Sequence, residues 1–147
     1  MCAVIDTNVL FEGLTKQGGA CGLIVEAWLN GLFSPCVSLA LAYEYADVLA
    51  RKLSPARWSM LAPTLELLLN QAEAVDIYYS WRPTSPDPGD DLVIDCAMNA
   101  SAVIVSRNIR DFRTAGRDLG VRVLSPAKFV NLLAQSAANA DTEGEQA

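Results

Sequence analysis

The chain has 147 residues, of which 52% are hydrophobic and 19% are charged, so it carries enough apolar material for a single domain with one packed core. The sequence contains no histidine, which excludes Ser-His-Asp and Cys-His catalysis, histidine general bases and most zinc chemistry. The formal net charge of −6 argues against a nucleic-acid partner. However, three acids that follow Ser136 contribute half of that charge, and acids that bind a metal do not repel phosphate once the metal is bound.

The sequence shows neither a membrane span nor a secretory signal. No segment reaches the roughly 18 consecutive apolar residues that a transmembrane helix needs, and no basic stretch precedes the short apolar run that Asp6 ends. We therefore expect a soluble cytoplasmic protein.

The sequence contains four cysteines, Cys2, Cys21, Cys36 and Cys96, which are widely spaced among apolar neighbours. We therefore expect buried thiols and neither a zinc site nor a disulfide framework.

The first half of the chain predicts two short strands and four helices. The elements are a strand at 3–5, a helix beginning at 7, a helix at 20–30, a strand at 32–37, a helix at 39–52 and a helix from 55 to about 69. Asp6-Thr7-Asn8 and Ser38 supply N-cap chemistry for the helices that follow them. Pro63 is expected to kink or divide the fourth helix.

The second half predicts three strands, at 75–79, 102–105 and 121–124. The first of them leads into a loop at 83–89 that is rich in proline, and a helix from Asp90 or Asp91 to about Ser101 follows. A turn at 106–108, a short helical piece and a final helix at 126–133 complete the domain, which we place at residues 1–135. Residues 136–147 are small, polar and acidic, and predict a disordered tail.

Strands that alternate with helices predict an α/β fold. We expect a single domain with a central, mostly parallel sheet of about five short strands that is flanked by helices on both faces. In such sheets, ligands bind beyond the carboxyl ends of the strands. Asp6 and Ser106 directly follow the two clearest strands, so they are the first candidates for a site. The alternative for Asp6 is a helix N-cap, although a carboxylate at the end of a buried strand is costly without a partner.

Glu44 is the second candidate because it lies on an apolar helical stripe with Leu41 and Val48, where an unpaired glutamate is unusual. Asp47 lies close by in the same helix, but it can pair with Arg51 four residues later, and we interpret it as a surface acid.

The densest acidic group contains Asp87, Asp90, Asp91 and Asp95. Acids in the first turn of a helix are explained by the helix dipole, but Asp95 lies a turn deeper. Asp91 and Asp95 are four residues apart, so they share a helix face and repel each other unless a cation lies nearby. Carboxylates that converge at one sheet edge suit Mg²⁺ or Mn²⁺ and support phosphodiester hydrolysis. Asp111, taken alone, is more typical of a turn acid paired with Arg107 or Arg110.

Five stretches together resemble the PIN-domain family, specifically the prokaryotic toxins of type II toxin–antitoxin pairs. They are Val4-Ile5-Asp6-Thr7-Asn8-Val9-Leu10, Ser38 with Glu44 and Val48-Leu49, Asp87-Pro88-Gly89-Asp90-Asp91, the segment 103–112, and the segment 124–129. The resemblance covers nearly the whole chain up to the tail. It implies a metal-dependent endoribonuclease of the VapC-like type in which Asp6, Glu44 and Asp91 bind Mg²⁺ or Mn²⁺.

The same resemblance implies supporting roles around these three acids. Thr7 and Ser38 are expected to orient the site by hydrogen bonding, and Asn8 and Ser106 to support it. In many relatives the position of Asn108 is an aspartate, so this chain has an amide where a fourth acid is usual. Asp111 is our candidate for the fourth catalytic acid, with Asp95 as a further candidate.

The resemblance also implies an RNA substrate, a small antitoxin protein as partner and a homodimer, for which we expect an apolar helical surface within 58–69 as the contact. Arg107, Arg110, Arg113 and Arg117 recur at intervals of three and four residues next to the proposed site. We expect Arg107, Arg110 and Arg113 to hold RNA phosphates; the alternative is an ordinary solvated helix face.

Three other functions remain open at this stage. The first is a degenerate PIN fold that binds RNA or a protein without cutting, which Asn108 and the net charge favour. The second is a phosphoacceptor module, which usually needs a lysine where this sequence has Ser106-Arg107-Asn108. A nucleotide-binding switch is the weakest of the three, since the sequence has no Gly-x-x-x-x-Gly-Lys-Ser/Thr loop.

Overall fold

The computed structural model describes residues 1–80 and 88–146. These residues form five strands: β1 (Cys2–Ile5), β2 (Ser34–Val37), β3 (Glu73–Ala74), β4 (Val103–Val105) and β5 (Val123–Leu124). They also form seven α-helices: α1 (Thr7–Thr15), α2 (Gly19–Leu29), α3 (Leu39–Lys52), α4 (Pro55–Gln71), α5 (Pro88–Ala100), α6 (Arg113–Leu119) and α7 (Pro126–Gln146). A short 3-10 helix (Ile109–Phe112) lies between β4 and α6. Within these residues, no helix is both long and apolar enough to cross a membrane.

The five strands make one parallel sheet in the order β3-β2-β1-β4-β5. The chain therefore builds the sheet outwards from β1 in one direction, through β2 to β3, and then returns to add β4 and β5 on the other side. Because parallel crossovers are right-handed, this reversal places helices on both faces of the sheet. The α/β prediction is confirmed, and the strand order reverses between β1 and β4, which is where such folds bind ligands.

The apolar strands form the centre of the core. Ala3, Val4 and Ile5 of β1 are all buried, as expected for a central strand that is covered on both faces. Trp28 of α2 is 1% exposed, and its indole nitrogen donates a 2.9 Å hydrogen bond to the backbone oxygen of Leu68 in α4. This bond satisfies a buried polar group and links two helices through a large apolar side chain.

Helix α4 runs without a break through Pro63, so this proline does not divide the helix; whether it kinks the helix stays a prediction. Proline lacks the backbone N–H that would bond to the preceding turn. Pro63 is exposed, and water can reach the carbonyl oxygen that loses its partner. Leu65 and Leu68, which follow it, are buried and anchor the second half of the helix to the core.

The strand that the sequence predicts at 75–79 is shorter and earlier in the structure, where β3 covers only Glu73–Ala74. Beyond it, the backbone N–H groups of Tyr78 and Tyr79 donate to the side-chain oxygen of Asn99 at 2.9 and 3.2 Å. Asn99 also donates to the backbone oxygen of Tyr79 at 2.9 Å. A side chain of α5 therefore satisfies the backbone groups that a strand partner would have satisfied.

Two helix boundaries also differ from the prediction. Helix α5 covers Pro88–Ala100 in the described part of the chain, so Pro88 and Gly89 are already helical before Asp90, and proline is well suited to the first turn of a helix. The loop residues up to Asp87 lie outside the described residues. Helix α7 covers Pro126–Gln146 and so extends beyond 133, where the sequence predicts that the final helix ends. This segment contains no proline and several alanines, the residue that favours helix most.

Candidate functional site at the carboxyl edge of the sheet

The buried polar residues lie around one edge of the sheet. Six polar or charged residues are buried among those that the structure describes, and the sequence analysis had proposed all of them as site residues: Asp6, Thr7, Ser38, Asp91, Asp95 and Ser106. Four of them follow the carboxyl ends of β1, β2 and β4, and the other two lie on α5, which contacts all three strands. The fold thus gathers residues that are far apart in sequence.

Asp6 and Ser106 connect the two strands at which the strand order reverses. The Ser106 hydroxyl donates a 2.7 Å hydrogen bond to the Asp6 carboxylate, and both residues are buried. The backbone N–H of Asp6 donates to the carbonyl oxygen of Val105, and that of Ser106 to Leu124, so the sheet hydrogen bonding extends to both residues. Their side chains are therefore held by rigid backbone.

Asp6 occupies the N-cap position of α1, but its side chain makes no capping hydrogen bond to that helix. Its backbone oxygen accepts from the N–H groups of Val9 and Leu10 instead. The N-cap alternative for the Asp6 side chain is therefore wrong. Thr7, the first residue of α1, is also buried, whereas Asn8 is exposed.

Tyr45 holds α3 against the end of β1. Its hydroxyl donates a hydrogen bond to the backbone oxygen of Ile5, the residue before Asp6, and the ring is fully buried. Burial raises the pKa of Tyr45 well above its usual value, and the nearby Cys96 and Asp6 raise it further. The sequence gives no sign of this role for Tyr45, because an aromatic side chain on an apolar helical stripe predicts only core packing.

Glu44 precedes Tyr45 in α3 and is half-buried. The start of α3 is fixed by Ser38, whose hydroxyl accepts a 3.1 Å hydrogen bond from the N–H of Leu41, as the predicted cap requires. Asp47 pairs with Arg51 at 3.1 Å and is 60% exposed, which confirms that it is a surface acid. The two neighbouring acids of α3 therefore occupy different environments.

Asp91 and Asp95 bring two more buried carboxylates to the site. They are 5% and 3% exposed, and lie one turn apart on α5. Asp95 accepts a 3.4 Å hydrogen bond from the Ser80 hydroxyl. Burial of a carboxylate is costly unless hydrogen bonds or charges compensate it, so three buried acids mark this part of the described chain as chemically unusual.

The donor set fits a hard divalent cation, because it consists of carboxylate and hydroxyl oxygens. The arrangement suits an ion that keeps some of its water ligands rather than one that is coordinated by protein atoms alone. Within the described part of the chain, Asp6, Glu44 and Asp91 do not bring three ligand oxygens within 4.8 Å of one another. Mg²⁺ usually keeps several of its waters and needs only one or two carboxylates as direct ligands.

The turn after β4 carries the remaining predicted residues. Asn108 and Asp111 are both exposed, in contrast to the buried acids. The N–H of Asn108 donates to the Ser106 hydroxyl at 3.0 Å, and the N–H of Asp111 to the Asn108 carbonyl at 3.0 Å. The turn is therefore connected to Asp6 through Ser106, but its own polar side chains face solvent.

Three of the four arginines of this region line one groove. Arg107, Arg110 and Arg113 surround a groove of about 470 Å³ together with Asn108, Ile109 and Asp111. Arg117 pairs with Asp118 and is not one of the residues that line the groove. Arg107 pairs at 2.7 Å with Glu12 of α1, a residue that the sequence analysis had not singled out.

The strand order and the buried acids define a doubly wound α/β domain with an oxygen-rich site where the strand order reverses. The chain belongs to the PIN domain family, since the family model described as PIN domain matches residues 2–110. A search of curated protein sequences finds no match.

The fold is similar to several solved structures. One is VapBC2 from Rickettsia felis bound to a DNA fragment from the promoter, with a TM-score of 0.63 and 14% identity over 85% of this chain and 98% of that chain. Another is FitAcB from Neisseria gonorrhoeae, with a TM-score of 0.60 and 22% identity over 84% and 97% of the two chains. FitAB bound to the IR36 DNA fragment has a TM-score of 0.57 and 20% identity over 84% and 94%.

Proposed function

We propose that this protein is a metal-dependent endoribonuclease, the toxin of a toxin–antitoxin pair, acting in the cytoplasm. One observation carries the proposal: Asp6, Asp91 and Asp95 are buried carboxylates of a PIN domain, and the buried Ser106 hydroxyl donates to Asp6 where the strand order reverses. Such a site suits a divalent cation and the phosphate that the cation would bind.

In this mechanism, Asp6, Glu44 and Asp91 would hold Mg²⁺ or Mn²⁺ directly or through its waters. Such an ion would supply an activated water for attack on phosphorus and positive charge for the phosphate. Ser106 orients the Asp6 carboxylate through their 2.7 Å hydrogen bond, and Thr7 and Ser38 place two further hydroxyls at the same edge. Asp111 is our candidate for the fourth acid; it is exposed and lines the groove together with Asn108.

The arginine groove is the proposed path of the RNA strand. Arg110 and Arg113 lie in it with exposed side chains, and Arg107 lies both in this groove and in a second one of about 560 Å³ at the start of α2 and α7. Guanidinium groups bind phosphate oxygens well, so a local cationic surface can operate in a chain whose net charge is negative.

We further propose an antitoxin protein as partner, which the resemblance to toxins of toxin–antitoxin pairs supports.

We also propose a homodimer with α4 as the contact. Met60 and Leu67 of this helix leave 77% and 49% of their surface exposed, and a second copy of the chain would cover them. Light scattering over a wide concentration range should show a dimer, and a monomer at every concentration would rule out this assembly.

The first test is a cleavage assay on mixed structured and single-stranded RNAs, with Mn²⁺, Mg²⁺ or a chelator. Wild-type protein should cut with metal and not with chelator, and Asp91→Asn should lose the activity because it removes a metal-binding charge. Asp47→Asn is the matched control, since Asp47 is a surface acid paired with Arg51. Equal cutting by wild type and Asp91→Asn would refute the site.

The second candidate function is a PIN fold that binds RNA or a protein without cutting. The amide of Asn108 at the fourth acidic position and the separation of the three predicted metal ligands favour it. A wild-type protein that neither cuts RNA nor binds Mn²⁺, while still binding RNA, would establish this function instead.

A further inference from the structure

A second group of potential metal ligands lies across three neighbouring strands, away from the acidic site. Cys2 of β1, Cys36 of β2 and Glu73 of β3 each place one ligand atom within 4.8 Å of the other two. Cys36 is paired with Glu73 in the sheet, and Cys2 is paired with Ser34, two residues before Cys36. Since side chains alternate along a strand, all three project from the same face of the sheet.

We propose that Cys2, Cys36 and Glu73 bind a zinc ion, with solvent as the fourth ligand. Two thiolates and one carboxylate are ordinary zinc ligands, and the soft sulfur atoms distinguish this site from the oxygen-only site around Asp6. Cys2 is separated from Asp6 by the length of β1, about 13 Å at about 3.3 Å per residue. The zinc ion therefore needs none of the carboxylates that the nuclease proposal uses.

The sheet geometry favours a metal over a disulfide. With strands about 4.8 Å apart and a rise of about 3.3 Å per residue, an offset of two residues separates the Cα atoms of Cys2 and Cys36 by about 8 Å. A disulfide requires about 7 Å or less. In a tetrahedral zinc site with Zn–S bonds of about 2.3 Å, the two sulfur atoms lie about 3.8 Å apart. Small rotations of the Cys2 and Cys36 side chains can bring their sulfur atoms to this separation.

Access to the site is also suitable. Cys36 is 2% exposed, Cys2 is half-buried, and Glu73 is exposed on β3, the outermost strand of the sheet. The Cys36 thiol donates a weak 3.9 Å contact to a carboxylate oxygen of Glu73, which already directs the two groups towards each other. Because Glu73 is exposed, an ion can reach the group from the side of Glu73.

The thiols must lose their protons for zinc to bind. Burial raises the pKa of Cys36 to about 12, and the neighbouring Cys2 and Glu73 contribute to the rise. Without a metal, two thiolates and a carboxylate this close together would repel one another. A divalent cation between them would turn this repulsion into attraction to the cation.

The test is a titration of the reduced full-length protein with Co²⁺, a spectroscopic substitute for Zn²⁺, in the presence of a non-thiol reductant. We expect sulfur-to-cobalt charge-transfer absorption that saturates at one equivalent and disappears when Zn²⁺ is added. Cys36→Ser and Cys2→Ser should lose this absorption, and Glu73→Gln should weaken cobalt binding. Cys21→Ser is the matched control, since Cys21 is a buried free cysteine outside the group.

Two results would overturn the proposal. One is the absence of charge-transfer absorption in the wild-type protein, and the other is its persistence in Cys36→Ser. Far-UV circular dichroism checks that each variant is folded, and Glu73 is exposed, so Glu73→Gln reports on the ligand rather than on the core. The carboxylates around Asp6 cannot produce a sulfur charge-transfer band, so this readout does not depend on the nuclease site.

Discussion

At the scale of single residues, the site is held by groups that contact the end of β1. Ser106 donates to the Asp6 carboxylate, and Tyr45 donates to the carbonyl oxygen of Ile5 just before it. Both donors are fully buried. A hydrogen bond that is shielded from water positions its acceptor more firmly than one at the surface, so the orientation of Asp6 depends on residues that need never touch a substrate.

The buried hydroxyl of Tyr45 predicts a loss of stability in alkali. Its pKa is raised in the folded protein, so the unfolded chain ionises first, above about pH 10, and the free energy of unfolding should fall as pH rises through that region. Tyr45→Phe cannot ionise and should show a smaller fall. Tyr43→Phe is the control, because Tyr43 is 68% exposed.

Urea unfolding at a series of pH values measures this effect. Cysteines ionise in the same range, so the difference between wild type and Tyr45→Phe isolates the tyrosine. If the two proteins lose stability in parallel from pH 9 to about pH 11, Tyr45 is not buried in its neutral form.

Much of the acidic site was predictable at the residue scale. Asp6 and Ser106 follow clear strands, and Asp91 and Asp95 repeat at helical spacing, so position alone singled them out. Glu12 and the Cys2–Cys36–Glu73 group were not predictable, because their contacts depend on which strands and helices become neighbours. The expectation that no zinc site exists came from spacing along the chain, and that spacing carries no information about strand register.

At the scale of elements, the segment after β3 is held by α5 rather than by the sheet. Asn99 accepts from the N–H groups of Tyr78 and Tyr79, and donates to the Tyr79 carbonyl and to the backbone oxygen of Asp95. The run from Val75 to Tyr79 has the β-branched and aromatic composition of a strand, which explains the wrong prediction. Composition could not reveal that one asparagine replaces the strand partner.

Asn99→Ala should therefore release this segment. Without the side-chain acceptor and donor, the amide hydrogens of Tyr78 and Tyr79 should exchange with solvent at least about ten-fold faster, which corresponds to roughly 1.4 kcal/mol of lost local protection. Hydrogen exchange followed by NMR measures both amides. Asn99→Asp is the matched control, since it keeps the accepting oxygen and should retain most of the protection.

Amides of β1 serve as the internal reference in the same spectra, because that strand lies in the centre of the sheet and should not change. Unchanged exchange at Tyr78 and Tyr79 in Asn99→Ala would show that Asn99 does not hold the segment. Faster exchange throughout the sheet would indicate global destabilisation instead.

At the scale of the whole molecule, the charges are separated in a way that the net charge hides. The formal charge is −6, yet Arg107, Arg110 and Arg113 surround one groove beside the acidic edge. A negative body limits non-specific attraction to nucleic acid, while a local cationic groove can still bind phosphates. The proposed function therefore requires that RNA affinity depends on this groove rather than on the overall charge.

Replacing Arg110 and Arg113 together with alanine tests that requirement. If each arginine neutralises one phosphate of single-stranded RNA, the slope of log affinity against log salt concentration should decrease in magnitude by about 1.4. Binding is measured by fluorescence anisotropy at several salt concentrations, in an Asp91→Asn background so that the RNA stays intact. Arg117→Ala is the matched control, because Arg117 lies outside the groove and pairs with Asp118.

The control separates a local groove from general electrostatics. Arg117→Ala removes one positive charge from the same region of the chain, so a diffuse electrostatic effect would lower the slope in that variant as well. A slope that stays at the wild-type value in the double variant would contradict the proposed RNA path, even if the acidic site proved catalytic. The next candidate for the RNA path would then be the groove of about 560 Å³ at the start of α2 and α7, where Arg107 and Lys16 both pair with Glu12.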